Sequence, residues 1–153
     1  LRLIIYRNDV TGVEHLVLQK GEVMPNSPVM VRMHALDLMV DLFGGSNSLR
    51  KHGELQRAMT KIAEKGTGVI VLLREASSSS LSELVNQQAR KSADSQSAEL
   101  RDYGVGAQIL TDLNITNMIL LTNSKPNVIG LDGYGLQIDG WEPVTDTEAK
   151  RKG

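Results

Sequence analysis

Two short and almost wholly apolar runs, each preceded by a stretch with helical spacing, constrain the fold of this chain most strongly. Residues 69–73 read VIVLL and residues 117–121 read NMILL. Continuous apolar sequence is expected of strands covered on both faces, as in parallel sheets flanked by helices. Residues 49–65 and 103–113 carry apolar residues three or four apart, and Gly66 follows the first stretch, where a helix C-terminus favours glycine. The pattern predicts βαβ units.

The N-terminal third of the chain has a different pattern. Residues 1–6 and 14–20 (EHLVLQK) read as strands separated by turn-forming residues, which predicts a hairpin. Residues 28–34 (PVMVRMH) predict a third strand, and residues 136–141 predict a closing one. We therefore expect an α/β fold with some α+β character, in which mostly antiparallel N-terminal strands precede the βαβ units.

Composition excludes several classes of function. The chain has 17 Lys and Arg against 18 Asp and Glu, so no basic surface for nucleic acid is expected. No run of about 18 apolar residues is present that would span a membrane, and no secretory signal is recognisable. There is no cysteine, which excludes disulfides and thiolate metal sites. We expect a cytoplasmic protein.

Polar segments interrupt and end the predicted domain. Residues 77–80 are four serines, and residues 91–98 (KSADSQSA) are so poor in apolar side chains that we predict disorder there. Residues 145–153 form a polar tail that we expect to fray. The chain starts at Leu1 inside a predicted strand, so we expect a fragment of a longer protein.

Three sequence blocks carry a resemblance to a known family. They are PVMVRMH at residues 28–34, LRDYGVGAQIL at residues 100–110 and LLTNSKPNVIGLDGYG at residues 120–135. With EHLVLQKGEV and IAEKGTGVIVLLRE, their order and spacing resemble GTP cyclohydrolase II of riboflavin biosynthesis. The resemblance covers residues 1–144, which we predict to be one such domain.

The resemblance implies an activity and partners. Members of the family open the imidazole ring of GTP and release formate and pyrophosphate. The domain is often fused behind a 3,4-dihydroxy-2-butanone 4-phosphate synthase, so we expect an N-terminal synthase domain to be missing here. The family also implies a homodimer. Magnesium is expected only if a nucleotide binds.

The family's zinc site is the main departure. Three family cysteines activate the attacking water through zinc. Their positions fall here on Asp37 and near Leu49 and Lys51, of which only the carboxylate is a plausible ligand. We therefore expect no zinc. Four neighbouring residues could rebuild a metal site or could be ordinary polar residues around a loop: His34, Asp37, Asp41 and His52.

Other family features are altered. The Glu-Gly-Arg motif after the buried strand is replaced by Arg74 and residues 75–78 (EASS), and the stretch that follows is shorter than in the family. After LLTN, the basic turn that reaches phosphate in the family has become SKPN at residues 124–127. The first change removes the Gly-Arg pair of the motif, and in the turn the basic charge has moved or vanished. In the family the residues at both places contact the nucleotide.

Four residues keep a family role by resemblance. Arg101 matches the proposed nucleophile toward the α-phosphate, and Glu99 replaces an Asp that accepts a proton. The extra methylene of Glu99 is enough to displace a base by about 1 Å. Arg32 matches a nucleotide-contacting Arg, and Thr122 matches a Thr near the phosphates.

Each surviving residue also has a structural interpretation. Arg101 pairs with a neighbouring carboxylate, Thr122 turns the chain after a buried strand, and Arg32 is an outward residue of an alternating strand. Tyr103 and two glycines, at residues 104 and 106, form a turn into a helix. His15 occupies an outward position of its strand.

Three hypotheses follow. The first is a degenerate GTP cyclohydrolase II-like domain, a pseudoenzyme that supports or regulates a fused synthase. The second is a working enzyme that uses Arg101, Glu99 and Thr122, either a metal-independent cyclohydrolase or a hydrolase that releases pyrophosphate from GTP. The third is a module that binds a nucleotide and senses it. Fold resemblance alone does not choose among them, because function resides in sites.

Overall fold

The computed structural model describes residues 1–44, 53–74, 95–123 and 131–145. The expectations for Leu49, Lys51, His52, the four serines and the polar tail beyond residue 145 lie outside these residues. In chain order the elements are β1 (Arg2–Arg7), β2 (Glu14–Lys20), β3 (Val29–Ala35), α1 (Leu38–Asp41), α2 (Glu54–Lys65), β4 (Gly68–Leu73), α3 (Ser95–Asp112), β5 (Asn117–Leu121), a 3-10 turn (Asp132–Tyr134) and β6 (Gln137–Glu142).

The described strands form one six-stranded sheet in the order β1-β2-β4-β3-β5-β6. β1 and β2 form the predicted antiparallel hairpin, and β2 pairs antiparallel with β4. β3 does not continue this antiparallel layer, because it lies between β4 and β5 and is parallel to both. β6 is parallel to β5 and forms the edge of the sheet opposite β1. The mixed α/β class is therefore confirmed, with the crossover from β3 through α2 to β4 as a βαβ unit.

Apolar side chains on the two faces of the sheet form separate clusters. One face packs against α3 through residues such as Val31, Val71 and Leu110. The other face packs against α2 through Ala58 and Ile62. The strands β3 and β4 therefore lie between two helices, and all six residues of β4 are buried, as its continuous apolar sequence predicts.

Helix α2 ends as its sequence predicts. Gly66 adopts φ 85°, and its backbone N–H donates to the carbonyl of Ile62. The left-handed conformation favours glycine at this position, because a side chain there would be strained. Met59 is one of the apolar residues of this stretch, yet it is 41% exposed and therefore lies outside the buried face of α2.

Helix α3 corrects two predictions. It begins at Ser95, so the prediction of disorder is wrong for residues 95–98, while residues 91–94 lie outside the described residues. The glycines at 104 and 106 lie inside α3 and do not form a turn into it. A Cβ at Gly106 would lie 2.5 Å from the Met33 sulfur, so this glycine permits close packing of α3 on β3.

His15 is not an outward residue of its strand, because it is buried and only 6% exposed. Its Nδ1 accepts a hydrogen bond from the backbone N–H of Arg74 at 3.1 Å, which joins β2 to the end of β4. Burial, and then the positive charge of Arg74, lower the pKa of His15. The neutral ring is thus part of the fold.

A second polar contact joins the hairpin to α3. The hydroxyl of Tyr6 donates to Oδ2 of Asp112 at 2.8 Å. Burial and this hydrogen bond raise the pKa of Tyr6 to about 12. Among the described residues, no helix is both long and apolar enough to cross a membrane.

Candidate functional site

The carboxyl ends of β3, β4 and β5 meet the first residue of α2, and polar side chains collect there. Arg32 and His34 are alternate residues of β3 and lie on the face of the sheet that carries α2. Glu54 opens α2, and Asn123 follows β5. In open α/β sheets, ligands bind at this carboxyl edge, which makes this group the candidate site.

Arg32 is held by partners inside the protein. Its Nη2 lies 2.9 Å from Oε2 of Glu54, and its Nη1 donates to the carbonyl of Leu121 at 3.1 Å. The side chains of Arg32 and Glu54 are only 11% and 8% exposed. Arg32 is therefore not an outward residue of an alternating strand; its guanidinium ties β3 to β5 and to α2.

Asn123 extends this ion pair to the end of the sheet. Its Nδ2 donates to Oε1 of Glu54 at 3.0 Å. Its Oδ1 accepts the backbone N–H groups of Val144 at 2.9 Å and Thr145 at 3.2 Å, just after β6. Both oxygens of Glu54 thus have a donor, and the start of α2 is joined to the ends of β5 and β6.

His34 is oriented by its two neighbours. Its Nε2 lies 3.0 Å from both carboxylate oxygens of Asp41, and its Nδ1 lies 3.5 Å from Nη2 of Arg32. A guanidinium only donates, so Nδ1 is assigned as the acceptor and Nε2 as the nitrogen that carries the proton. The imidazole therefore lies between Arg32 and Asp41 and contacts both.

The carboxylates of Asp37 and Asp41 hold the short helix α1. Oδ1 of Asp37 accepts the backbone N–H of Val40 at 3.3 Å, which is the geometry of a helix N-cap. Oδ2 of Asp41 accepts the backbone N–H of Asp37 at 2.9 Å. Asp37 is 6% exposed. The hydrogen bond from Val40 gives the Asp37 carboxylate a structural role that does not require a metal ion.

The residues present do not fit the zinc implied by the resemblance. Asp37 caps α1, while the other two positions fall near Leu49 and Lys51, whose side chains are an alkyl chain and an ammonium group. Both ring nitrogens of His34 already face partners within the chain, Nε2 the Asp41 carboxylate and Nδ1 the Arg32 guanidinium. Within the described parts of the chain, no group of three or more potential ligands could hold a metal ion.

The structure brings only some predicted site residues together. Arg32 contacts the carbonyl of Leu121, the residue before Thr122, and Thr122 is 9% exposed. The backbone N–H of Thr122 donates to the carbonyl of Glu142 at 2.9 Å, so Thr122 continues the link between β5 and β6. This bond involves only the backbone, so the role of the Thr122 side chain stays a prediction.

Glu99 and Arg101 lie in the first turns of α3, on the opposite face of the sheet from Arg32. A Cβ at Gly106 would contact Leu73 at the end of β4, so the turns that precede it extend toward the carboxyl edge. The roles of Glu99 and Arg101 stay predictions, since the described residues include their backbone but not their side chains.

Sequence reasoning missed Glu54 and Asn123. Glu54 looked like an ordinary charged residue in the first turn of a helix, a place where acidic side chains are common. Asn123 belongs to the LLTN block, in which Thr122 drew attention instead. The signal that could have found Glu54 is the presence of Arg32 in the middle of a buried strand, because such a charge requires a partner.

Comparison with known proteins identifies the family. The family model for GTP cyclohydrolase II matches residues 1–143. The chain is 36% identical to the monofunctional riboflavin biosynthesis protein RIBA 2, chloroplastic, of Arabidopsis thaliana over 149 residues, which cover 93% of this chain and 30% of that protein. It is 37% identical to riboflavin biosynthesis protein RibBA of Bacillus subtilis (strain 168) over 157 residues, 95% of this chain and 39% of that protein.

A third relative agrees with these two. Riboflavin biosynthesis protein RibBA of Rhodococcus jostii (strain RHA1) is 38% identical over 151 residues, 87% of this chain and 36% of that protein. The chain thus spans well under half of the length of these curated relatives. The match extends from the hairpin through β6 and includes the carboxyl edge of the sheet. The chain therefore belongs to the GTP cyclohydrolase II family.

Proposed function

We propose that this chain is a GTP cyclohydrolase II-like domain of riboflavin biosynthesis that no longer opens the guanine ring. It supports or regulates a 3,4-dihydroxy-2-butanone 4-phosphate synthase in the same polypeptide. The observation that carries the proposal is the buried contact between Arg32 and Glu54 at 2.9 Å. By resemblance Arg32 is a nucleotide-contacting residue, yet its guanidinium is bound to groups of the chain itself.

The donor set at the zinc positions supports the same conclusion. Ring opening by water at neutral pH needs a strong activator, and zinc supplies it by lowering the pKa of a bound water. This chain has no thiolate, and its one carboxylate at these positions caps a helix. Without an activated water, the carbon that leaves as formate is not attacked.

A supporting role accounts for the retained fold. The polar network from Asp41 through His34, Arg32 and Glu54 to Asn123 holds the carboxyl edge together. Such buried networks are retained only where each member has a partner, because an incomplete network destabilises the fold. We infer that the domain acts as a folded body that supports an active synthase. We also propose a homodimer as the assembly and the cytoplasm as the compartment.

Product analysis tests the proposal. The chain and its full-length parent are incubated with GTP, magnesium and added zinc, and formate and pyrophosphate are measured separately. We expect neither product above the blank. In the parent, deletion of this domain is expected to lower the yield or thermal stability of the synthase. Formate from the wild-type chain would contradict the proposal.

A second candidate function is hydrolysis of GTP to release pyrophosphate alone. The observation that favours it is the start of α3, which carries Glu99 and Arg101 toward the same edge as Thr122. Attack on the α-phosphate precedes ring opening and does not need the zinc-bound water. Pyrophosphate without formate, lost in an Arg101→Ala variant, would establish this function.

A further inference from the structure

The carboxylate of Glu54 lies between two hydrogen-bond donors that come from different strands. We infer that Glu54 is a built-in competitor for anions: it fills a position in which Arg32 and Asn123 would otherwise bind an external phosphate group. The inference rests on the proposed function for the lost nucleotide contact at Arg32. The inference concerns anion binding and the proposed function concerns turnover of GTP. An experiment can therefore contradict one of them without contradicting the other.

The geometry around Glu54 is that of a bound anion. Oε2 receives a bond from Nη2 of Arg32 at 2.9 Å, and Oε1 receives one from Nδ2 of Asn123 at 3.0 Å. Charge-assisted hydrogen bonds from a guanidinium commonly bind carboxylate or phosphate oxygens, and the Asn123 amide adds a neutral donor here. Glu54 also opens α2, where the helix dipole adds to the attraction for negative charge.

The two donors are positioned by groups other than Glu54. Nη1 of Arg32 donates to the carbonyl of Leu121 at 3.1 Å. The amide of Asn123 is fixed through its oxygen, which accepts the backbone N–H groups of Val144 and Thr145. Removal of the Glu54 carboxylate therefore leaves two oriented donors and a space of carboxylate size between them.

The position is also accessible and selective. Among the described residues Asn123 is exposed, which offers an anion an approach from its side, while the Arg32 side chain is only 11% exposed. A charged donor that is shielded from water binds more strongly than an exposed one. The expected ligand is a phosphate oxyanion, either inorganic phosphate or the phosphate of a nucleotide. Acetate, which carries less charge, is expected to bind more weakly.

Titration of a Glu54→Ala variant with inorganic phosphate tests the inference. Binding is measured by calorimetry at constant ionic strength, with chloride as the balancing anion. The variant is expected to bind phosphate at least about tenfold more tightly than the wild type, because one charge-assisted competitor has been removed. Glu64→Ala, on an exposed position of the same helix, is the matched control and is expected to bind like the wild type.

Further variants locate the site. Glu54→Gln keeps the length of the side chain and removes its charge, so it should also gain affinity. The gain should vanish when Arg32→Met is added to Glu54→Gln. Parallel titrations with GTP and acetate distinguish a nucleotide phosphate, free phosphate and a simple carboxylate as the preferred ligand.

The inference is overturned if both Glu54 variants bind phosphate no more tightly than the wild type and the Glu64 variant. It is overturned equally if the gain persists without Arg32. If neither Glu54 variant folds, with or without phosphate, the donors are not held independently and the inference again fails; folding only in phosphate would support it. None of these results depends on formate release, which tests the proposed function.

Discussion

Replacement of Arg32 by Met is predicted to be among the most destabilising single changes at the carboxyl edge. The pair with Glu54 is 11% and 8% exposed, so solvent screening is slight. Removal of one partner from a buried pair costs about 3–5 kcal/mol, because it leaves an uncompensated charge. Loss of the donor to the Leu121 carbonyl adds about 1 kcal/mol. The sum is a large part of the roughly 5–15 kcal/mol that stabilises a domain.

Urea unfolding of the variant and the wild type, followed by far-ultraviolet circular dichroism, measures this difference. The double variant Arg32→Met, Glu54→Leu is the control, since replacement of both charges by apolar side chains is often neutral or stabilising. It should recover most of the lost free energy of unfolding, which would give a large coupling energy in the double-mutant cycle. A loss of less than about 1 kcal/mol in the free energy of unfolding for Arg32→Met would refute the structural role of the pair. It would favour a role of Arg32 in ligand binding.

Four smaller predictions follow from other described residues. Gly68→Ala should destabilise by about 1–3 kcal/mol, because the new Cβ would lie 2.9 Å from the Met30 carbonyl oxygen. Gly140→Ala has nothing within 4 Å and should be nearly neutral in the same unfolding assay. The raised pKa of Tyr6 adds stability below pH 10 that is lost as the pH rises toward about 12, so Tyr6→Phe should flatten the stability profile there. The lowered pKa of His15 adds stability above pH 6.5 that is lost as the pH falls, and His15→Gln should reduce that acid dependence.

Buried strands were predictable from sequence, whereas their order was not. β4 and β5 are continuous apolar runs, so their position in the chain and their burial both follow from composition. The insertion of β3 between them depends on which strands pair, and periodicity carries no information on pairing. The prediction for residues 95–98 was wrong because their polar composition gives no helical pattern. They extend the packed part of α3, and elongation of a helix costs little free energy once a nucleus has formed.

The candidate site was located from sequence but its internal partners were not. Arg32 and Asp37 stood out because they match functional positions of the family, and His34 because it lies beside the lost zinc site. Their roles depend on groups far away in the chain: Asn123 and Glu54 are 69 residues apart and yet share a hydrogen bond. A partnership of this kind becomes visible only when the strand order is known.

Formate release from GTP distinguishes a domain that has lost ring opening from a working cyclohydrolase. The chain is measured beside the corresponding segment of its relative from Bacillus subtilis, at equal protein concentration and with zinc and magnesium present. We expect no formate above the blank from this chain, because it has no cysteine and because Arg32 is bound to Glu54. Zinc-dependent formate release from this chain would contradict the account, since it would require a metal site built from other ligands.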